Sequence, residues 1–144
     1  MERRRLAKTG MLRSAHMLGN EEEIIFAATD LLADTKLAPE LSNEAHYYRA
    51  KAYLDAGKTD GAMEDLKVLA KDTRNVYGAE AKYKVAQIYF DGGQTDKAEQ
   101  EVLNYIEVST PHTYWLARSF VLLADVYMKL GRNLDAKQYL LSLK

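Results

Sequence analysis

Apolar residues recur with helical spacing along most of the chain. Tyr83, Ala86, Tyr89 and Phe90, for example, fall on one face of a helix with 3.6 residues per turn. No segment alternates apolar and polar residues in the way that a half-buried strand does. The pattern therefore predicts an all-α chain, with helices over residues 2–18, 21–34, 42–56, 60–72, 77–92, 96–108, 111–130 and 133–143.

Residues at the ends of these segments are typical helix signals. A glycine between paired segments, such as Gly57, predicts a left-handed residue that ends the first helix. Asn20, with Glu23 three residues later, resembles a capping box. Two residues after each glycine lie candidate N-caps for the second helix: Thr59, Thr95 and Asn133.

The chain also repeats itself. A small residue, a tyrosine, a glycine and an alanine recur at fixed spacing, at offsets of 36 and then 38 residues between the tyrosines. A fainter copy precedes these, because Gly19 lies 38 residues before Gly57 and places Ala15 at the position of Tyr53. The clear copies are Ala50, Tyr53, Gly57 and Ala62; Ala86, Tyr89, Gly93 and Ala98; and Ala124, Tyr127, Gly131 and Ala136.

This pattern resembles the tetratricopeptide repeat, a helix–turn–helix unit of about 34 residues. The resemblance implies a single domain, 1–144, of four hairpins and eight helices in an α-α superhelix, with units at about 1–38, 39–75, 76–110 and 111–144. One hairpin cannot bury its apolar stripe alone, so neighbouring units are expected to cover it. The alanines are expected to permit close helix packing, and the tyrosines to fill the space between units.

The resemblance further implies a non-catalytic scaffold that binds a peptide or partner protein in a concave groove formed by the first helices. Tyrosines among charges of both signs suit such a partner. Plain packing of Tyr47 and Tyr83 against neighbouring helices remains an equal alternative. The groove residues expected from the register are Arg13, Glu44, Tyr47, Lys51, Asp55, Glu80, Tyr83, Gln87, Asp91, Arg118, Asp125 and Lys129.

Composition narrows the classes of function. The 20 Lys and Arg residues against 21 Asp and Glu residues argue against a nucleic-acid binder, which needs a basic excess. The absence of Cys excludes a disulfide scaffold and a thiolate metal site. No apolar run is long enough to insert into a membrane.

The sequence also contains no motif typical of an enzyme active site. The three histidines, His16, His46 and His112, fall in three different units, without the spacing of a zinc site. Gly92 and Gly93 end a helix and do not form a phosphate-binding loop. We therefore expect no enzyme activity, no metal and no cofactor.

Both ends of the chain indicate a segment of a longer repeat protein. Leu140 and Leu143 at one end, and Leu6 and Leu12 at the other, lie in apolar patterns with no polar capping helix beyond them. The long repeats, with Gly92–Ala98 followed by Thr110 and Pro111, are similar to large bacterial tetratricopeptide proteins. That likeness implies a bacterial origin and leaves a periplasmic, cell-envelope or cytoplasmic location open.

Two other functions stay open from the sequence. The chain could be a self-assembly module that forms homo-oligomers through exposed repeat ends. It could also be the recruiting domain of a larger enzyme or regulator.

Overall fold

The computed structural model describes residues 2–108 and 110–131, and all regular structure in these residues is helical. The predicted all-α class is confirmed. The eighth predicted helix, over 133–143, and the repeat residue Ala136 lie outside the described residues. The described residues form seven helices: α1 (Glu2–Leu18), α2 (Glu21–Leu32), α3 (Pro39–Asp55), α4 (Thr59–Leu69), α5 (Val76–Asp91), α6 (Thr95–Glu107) and α7 (Thr113–Lys129).

The repeat glycines end the first helix of each hairpin as predicted. Their φ angles are +70° at Gly19, +77° at Gly57, +80° at Gly93 and +78° at Gly131, which is the left-handed region. The N–H of Lys58 donates to the carbonyl of Tyr53 at 2.7 Å, and that of Gln94 donates to the carbonyl of Tyr89 at 2.8 Å. These bonds close Schellman motifs, so the repeat tyrosine supplies the accepting carbonyl of the turn.

The helix starts agree less well with the predictions. The Asn20 side chain caps α2 as expected, accepting from the Glu23 N–H at 3.1 Å. Thr59 and Thr95 do not act as N-caps, because each is the first residue of its helix, one position too late for a cap. α3 begins at Pro39, three residues before the predicted start, because proline tolerates the first helical turn, where an N–H has no partner.

The helices form two compact units, Met1–Leu69 and Ala70–Lys144, and each is described by itself. In the first unit, α1 packs on α2, α2 on α3, and α3 on α4. Its core includes Leu12, Ile24 and Leu31, none more than 5% exposed. Ala50 and Ala62 are fully buried, as their place in the repeat predicts.

In the second unit, α5, α6 and α7 all pack on one another. The core contains the repeat residues Ala86, Ala124 and Tyr127 together with Val102 and Leu123. Ala98 in α6 is also fully buried. The buried Tyr105 hydroxyl donates to the carbonyl of Ala79 at 3.1 Å and ties α6 to α5.

Candidate interaction surfaces

The second unit brings several predicted groove residues of α5 and α7 into one network. An Arg118 guanidinium N–H donates to the Tyr83 hydroxyl at 3.3 Å. That hydroxyl donates to Gln87 Oε1 at 2.9 Å, and Gln87 Nε2 donates to Asp91 Oδ1 at 2.7 Å. Because Tyr83, Gln87 and Asp91 are four residues apart, they follow one face of α5.

Three aromatic rings surround Arg118. Its guanidinium carbon lies 4.8 Å from the ring centroid of Tyr83, 5.5 Å from that of Trp115 and 5.8 Å from that of Tyr114. Trp115 contacts Tyr83 at 5.7 Å and the edge of Tyr114 at 4.9 Å between centroids. We call Tyr83, Tyr114, Trp115 and Arg118 the arginine cluster.

The side chains of this cluster differ in exposure. Tyr83 is only 7% exposed and belongs to the core, whereas Tyr114 is 62% exposed and Arg118 is exposed. The hydrogen bond to the Tyr114 hydroxyl raises the pKa of Arg118. The cluster therefore holds a permanent cation on a rigid aromatic base at the surface.

The other predicted residues of this unit lie apart from the network. Glu80 pairs with Lys84 at 2.7 Å along α5. Lys129 lies 6.0 Å from the ring centroid of Phe90, and Asp125 is exposed on α7. Sequence reasoning missed Tyr114 and Trp115, although their positions, four and three residues before Arg118, place them next to it on a helix.

The predicted residues of the first unit form two smaller groups. Arg13 of α1 makes a bidentate ion pair with Glu44 of α3, with Nε 2.8 Å from Oε2 and Nη2 2.9 Å from Oε1. The hydrogen bonds from Arg13 hold the pKa of Glu44 below its ordinary value. The Lys51 ammonium lies 5.4 Å from the Tyr47 ring centroid, and Asp55 is exposed one turn further along α3.

The structure adds two aromatic residues to the second of these groups. Tyr48 lies 6.0 Å from Tyr47 between ring centroids. His16 of α1 stacks on the Tyr48 ring at 4.1 Å, with only 9° between the planes. Tyr47 and Tyr48 are half-buried, so these rings serve both as packing and as surface.

A buried carboxylate in the first unit was not predicted. Asp65 of α4 is 1% exposed and accepts from His46 Nδ1 at 2.7 Å and from two Arg49 nitrogens at 2.7 and 2.9 Å. Arg49 also donates to the Thr29 hydroxyl at 2.9 Å, which connects α2, α3 and α4. Burial alone would raise the pKa of Asp65, but the bonds from His46 and Arg49 outweigh it and lower that pKa.

Two further findings concern the described residues alone. Within residues 2–108 and 110–131, no three His, Asp or Glu side chains are grouped so that they could hold a metal ion. In the same residues, no helix combines the length and apolar character that crossing a bilayer requires.

Several solved protein structures have a fold similar to that of this chain. No curated protein matches the sequence. A crystal structure of a protein from Podosopora anserina, assigned as a kinesin light chain with nearly identical TPR-like repeats, has 18% identity and a TM-score of 0.62, covering 96% of this chain and 72% of that one. Its Q17M variant gives a TM-score of 0.64 at the same identity and coverage. The MamA protein has 18% identity and a TM-score of 0.56, covering 97% of this chain and 90% of its own.

The sequence itself matches family models at two of the predicted units. Both models describe the tetratricopeptide repeat, and they match residues 44–72 and 117–143. Repeats of this kind form scaffolds for protein–protein interaction. The chain therefore contains segments that match the tetratricopeptide repeat, over residues 44–72 and 117–143, and its hairpin turns close at the repeat glycines.

Proposed function

We propose that this chain is a non-catalytic scaffold whose first-helix surfaces hold a peptide or a partner protein. In the first unit the surface is formed by α1 and α3, with Arg13, Glu44, Tyr47, Lys51 and Asp55. In the second unit it is formed by α5 and α7, with Glu80, Gln87, Asp91, Arg118, Asp125 and Lys129, and Arg118 lies over the buried Tyr83 ring.

The arginine cluster is the observation that supports this proposal most. Arg118 is exposed, yet contacts with three rings and two hydroxyls restrict its side chain before any partner binds. Ordering an arginine beforehand lowers the entropy lost on binding. Tyr, Trp and Arg are also the residues that contribute most at protein interfaces.

The chemistry of the cluster indicates the partner that it would accept. A guanidinium presents paired donors that match a carboxylate, and the exposed Tyr114 ring beside it offers apolar area. We therefore expect the second unit to bind a segment with an acidic residue next to an apolar one. Lys51 against Tyr47 offers a similar pairing in the first unit.

Each histidine makes a contact within its own unit. His16 stacks on Tyr48, His46 bonds to Asp65, and His112 Nε2 lies 2.8 Å from the carbonyl oxygen of Arg74.

Affinity measurements on surface variants test the proposal. A partner is first recovered with the wild-type chain. Its affinity is then measured by calorimetry for the wild type, for Arg118→Glu and for Tyr47→Ala. We expect Arg118→Glu to weaken binding by at least about tenfold, since it repels the carboxylate that Arg118 would bind.

Lys71→Glu is the matched control. Lys71 is exposed and lies outside the helices of the second unit, and its substitution changes the net charge by the same amount as Arg118→Glu. Its affinity is expected to match the wild type. Equal binding by the wild type, Arg118→Glu and Tyr47→Ala would refute the first-helix proposal.

A further inference from the structure

The first hairpin contains a cleft that none of the predicted groove residues lines. It has a volume of about 350 Å³ and lies between α1 and α2, bordered by Met11, Ala15, Glu22, Glu23, Phe26 and Ala27. Ala15 and Ala27 form buried walls, while Met11 and Phe26 are 59% and 69% exposed. Large apolar side chains this exposed beside a cleft are typical of a binding site.

The repeat register explains why the cleft exists. Ala15 takes the place of Tyr53, 38 residues later, and Glu23 takes the place of Gly61. In the α3–α4 hairpin, atoms of the Tyr53 ring lie 3.1 Å from the point where a Gly61 side chain would begin. The first hairpin has a methyl group where this hairpin has a phenol ring.

The α5–α6 hairpin shows the same arrangement. Lys97, at the position of Gly61, has its ammonium 5.7 Å from the ring centroid of Tyr89. Two hairpins thus place a ring between their helices at this position. The space that a ring occupies there is accessible from outside in the first hairpin.

The charges around the cleft are acidic. Glu22 and Glu23 are exposed at its border, and Glu21 precedes them. The basic side chains of α1 on either side of Met11 pair elsewhere, Lys8 with Asp30 at 3.5 Å and Arg13 with Glu44 at 2.8 Å. A ligand at the cleft therefore meets an apolar floor and a negative border.

We propose that this cleft binds a protein segment that inserts one aromatic side chain, flanked by Lys or Arg, between α1 and α2. The aromatic ring takes the position that Tyr53 and Tyr89 occupy in the later hairpins. The basic flanks lie against Glu22 and Glu23. This site is separate from the first-helix surfaces, so it stands or fails independently of them.

Titration of the full chain with designed peptides tests the site. The probe is a heptapeptide with a central tyrosine, two lysines on each side of it and a glycine at each end. Its binding is measured by the change in the amide NMR chemical shifts of the protein. Two matched probes replace the tyrosine by serine or the lysines by glutamates. We expect shifts around Ala15 and Ala27 with the first probe, and dissociation constants at least about tenfold higher with the other two.

Two variants examine the cleft directly. Ala15→Tyr supplies the chain with its own ring and is expected to abolish the shifts while helicity is retained. Because Ala15 is buried and its substitution could disturb the fold, a variant at the exposed Phe26 is also tested. Phe26→Ser is expected to lower the affinity for the probe about tenfold. Gln100→Ser, at the position of Phe26 in α6, is the matched control and leaves binding unchanged.

Several outcomes overturn the proposal. These are an absence of shifts at the cleft, equal binding of the serine probe, or unchanged binding by Phe26→Ser. Sedimentation of the wild type alone adds another test. A dimer that Phe26→Ser dissociates would identify a second copy of the chain as the occupant and refute the basic aromatic segment.

Discussion

At the scale of single residues, Asp65 shows how the first unit keeps a carboxylate in its interior. Removing a carboxylate from water is costly unless charged donors replace the lost hydration. Here Arg49 supplies two bonds and His46 a third. The three residues come from α3 and α4 and fix the two helices against each other.

Truncation of Asp65 is expected to be strongly destabilising. Asp65→Ala leaves the half-buried Arg49 without its carboxylate, and we expect the free energy of unfolding to fall by about 3–5 kcal/mol. Urea denaturation followed by circular dichroism measures this. Glu64→Ala, at the exposed neighbouring position, should change stability by less than about 0.5 kcal/mol. A similar small loss for Asp65→Ala would mean that the three-residue contact contributes little.

The repeat glycines give a second residue-level prediction. Nothing lies within 4 Å of a side chain built at Gly57, so the cost of Gly57→Ala comes from the left-handed backbone alone, about 1–2 kcal/mol. Gly10→Ala is the control, since Gly10 also has open space but lies inside α1, where alanine should stabilise by about 0.5–1 kcal/mol. Thermal melts with shifts of the same sign for both would contradict this account.

The buried Asp65 also marks what the sequence did not reveal. Ala62, Leu66 and Leu69 define the apolar face of α4, and Asp65 lies on that face between them. An acidic residue on an apolar face is a detectable signal. Its partners were not predictable, because His46 and Arg49 are 19 and 16 residues away and meet it only through packing.

At the scale of elements, the helices were predictable because apolar periodicity and left-handed glycines are local signals. α1 matched its predicted range, and the glycine turns formed at the expected places. Helix starts were less predictable, because α3 begins at a proline and α4 and α6 begin without the side-chain N-caps that the sequence predicted. Asn75 caps α5 by accepting from the Tyr77 N–H at 2.8 Å, although the sequence prediction placed the helix start at 77.

The candidate surface was predictable only in part for a similar reason. The register placed Tyr83, Gln87 and Asp91 on one face of α5, and the structure joins them. The contact between Arg118 and Tyr83 links residues 35 apart in different helices. Such a pairing depends on how α5 and α7 pack, which a periodic pattern does not specify.

Helix packing in the second unit gives a prediction at this scale. Ala98 is fully buried in α6, so Ala98→Leu adds three carbon atoms where no space exists. We expect a loss of about 1–3 kcal/mol in the free energy of unfolding. Gln100→Leu, on the exposed side of the same helix, provides the control. A melting midpoint for Ala98→Leu equal to that of the wild type would refute the proposed register.

At the scale of the whole molecule, carboxylates with lowered pKa values are unevenly distributed. Among the described residues, Asp34, Glu44 and Asp65 have pKa values held below the ordinary 3.8 of Asp and 4.5 of Glu. The bond from Arg5 is the main cause at Asp34, and the bonds from Arg13 are at Glu44. All three carboxylates belong to the first unit, Met1–Leu69.

Acid should therefore weaken the first unit before the second. A carboxylate with a lowered folded pKa stabilises the fold fully above its unfolded pKa. This stabilisation is lost progressively as the pH falls from the unfolded pKa through the folded pKa. We expect stability to be level above about pH 5. Between about pH 5 and 3, amide protection factors, which correct for the pH dependence of intrinsic exchange, should fall first in α1–α4. Asp65→Asn should flatten this pH dependence. An equal loss of amide protection in α5–α7 would contradict the assignment.

The hairpin turns have a consequence for how far such sequences can diverge. Each turn closes through main-chain N–H and carbonyl groups, so only the left-handed glycine is chemically demanding, and the adjoining side chains can be Asn20, Lys58 or Gln94. A turn of this kind tolerates substitution that a side-chain-mediated turn would not. This is one physical reason why proteins with 18% identity share the fold over 96% of this chain. Surfaces, and with them partners, can change while the scaffold persists.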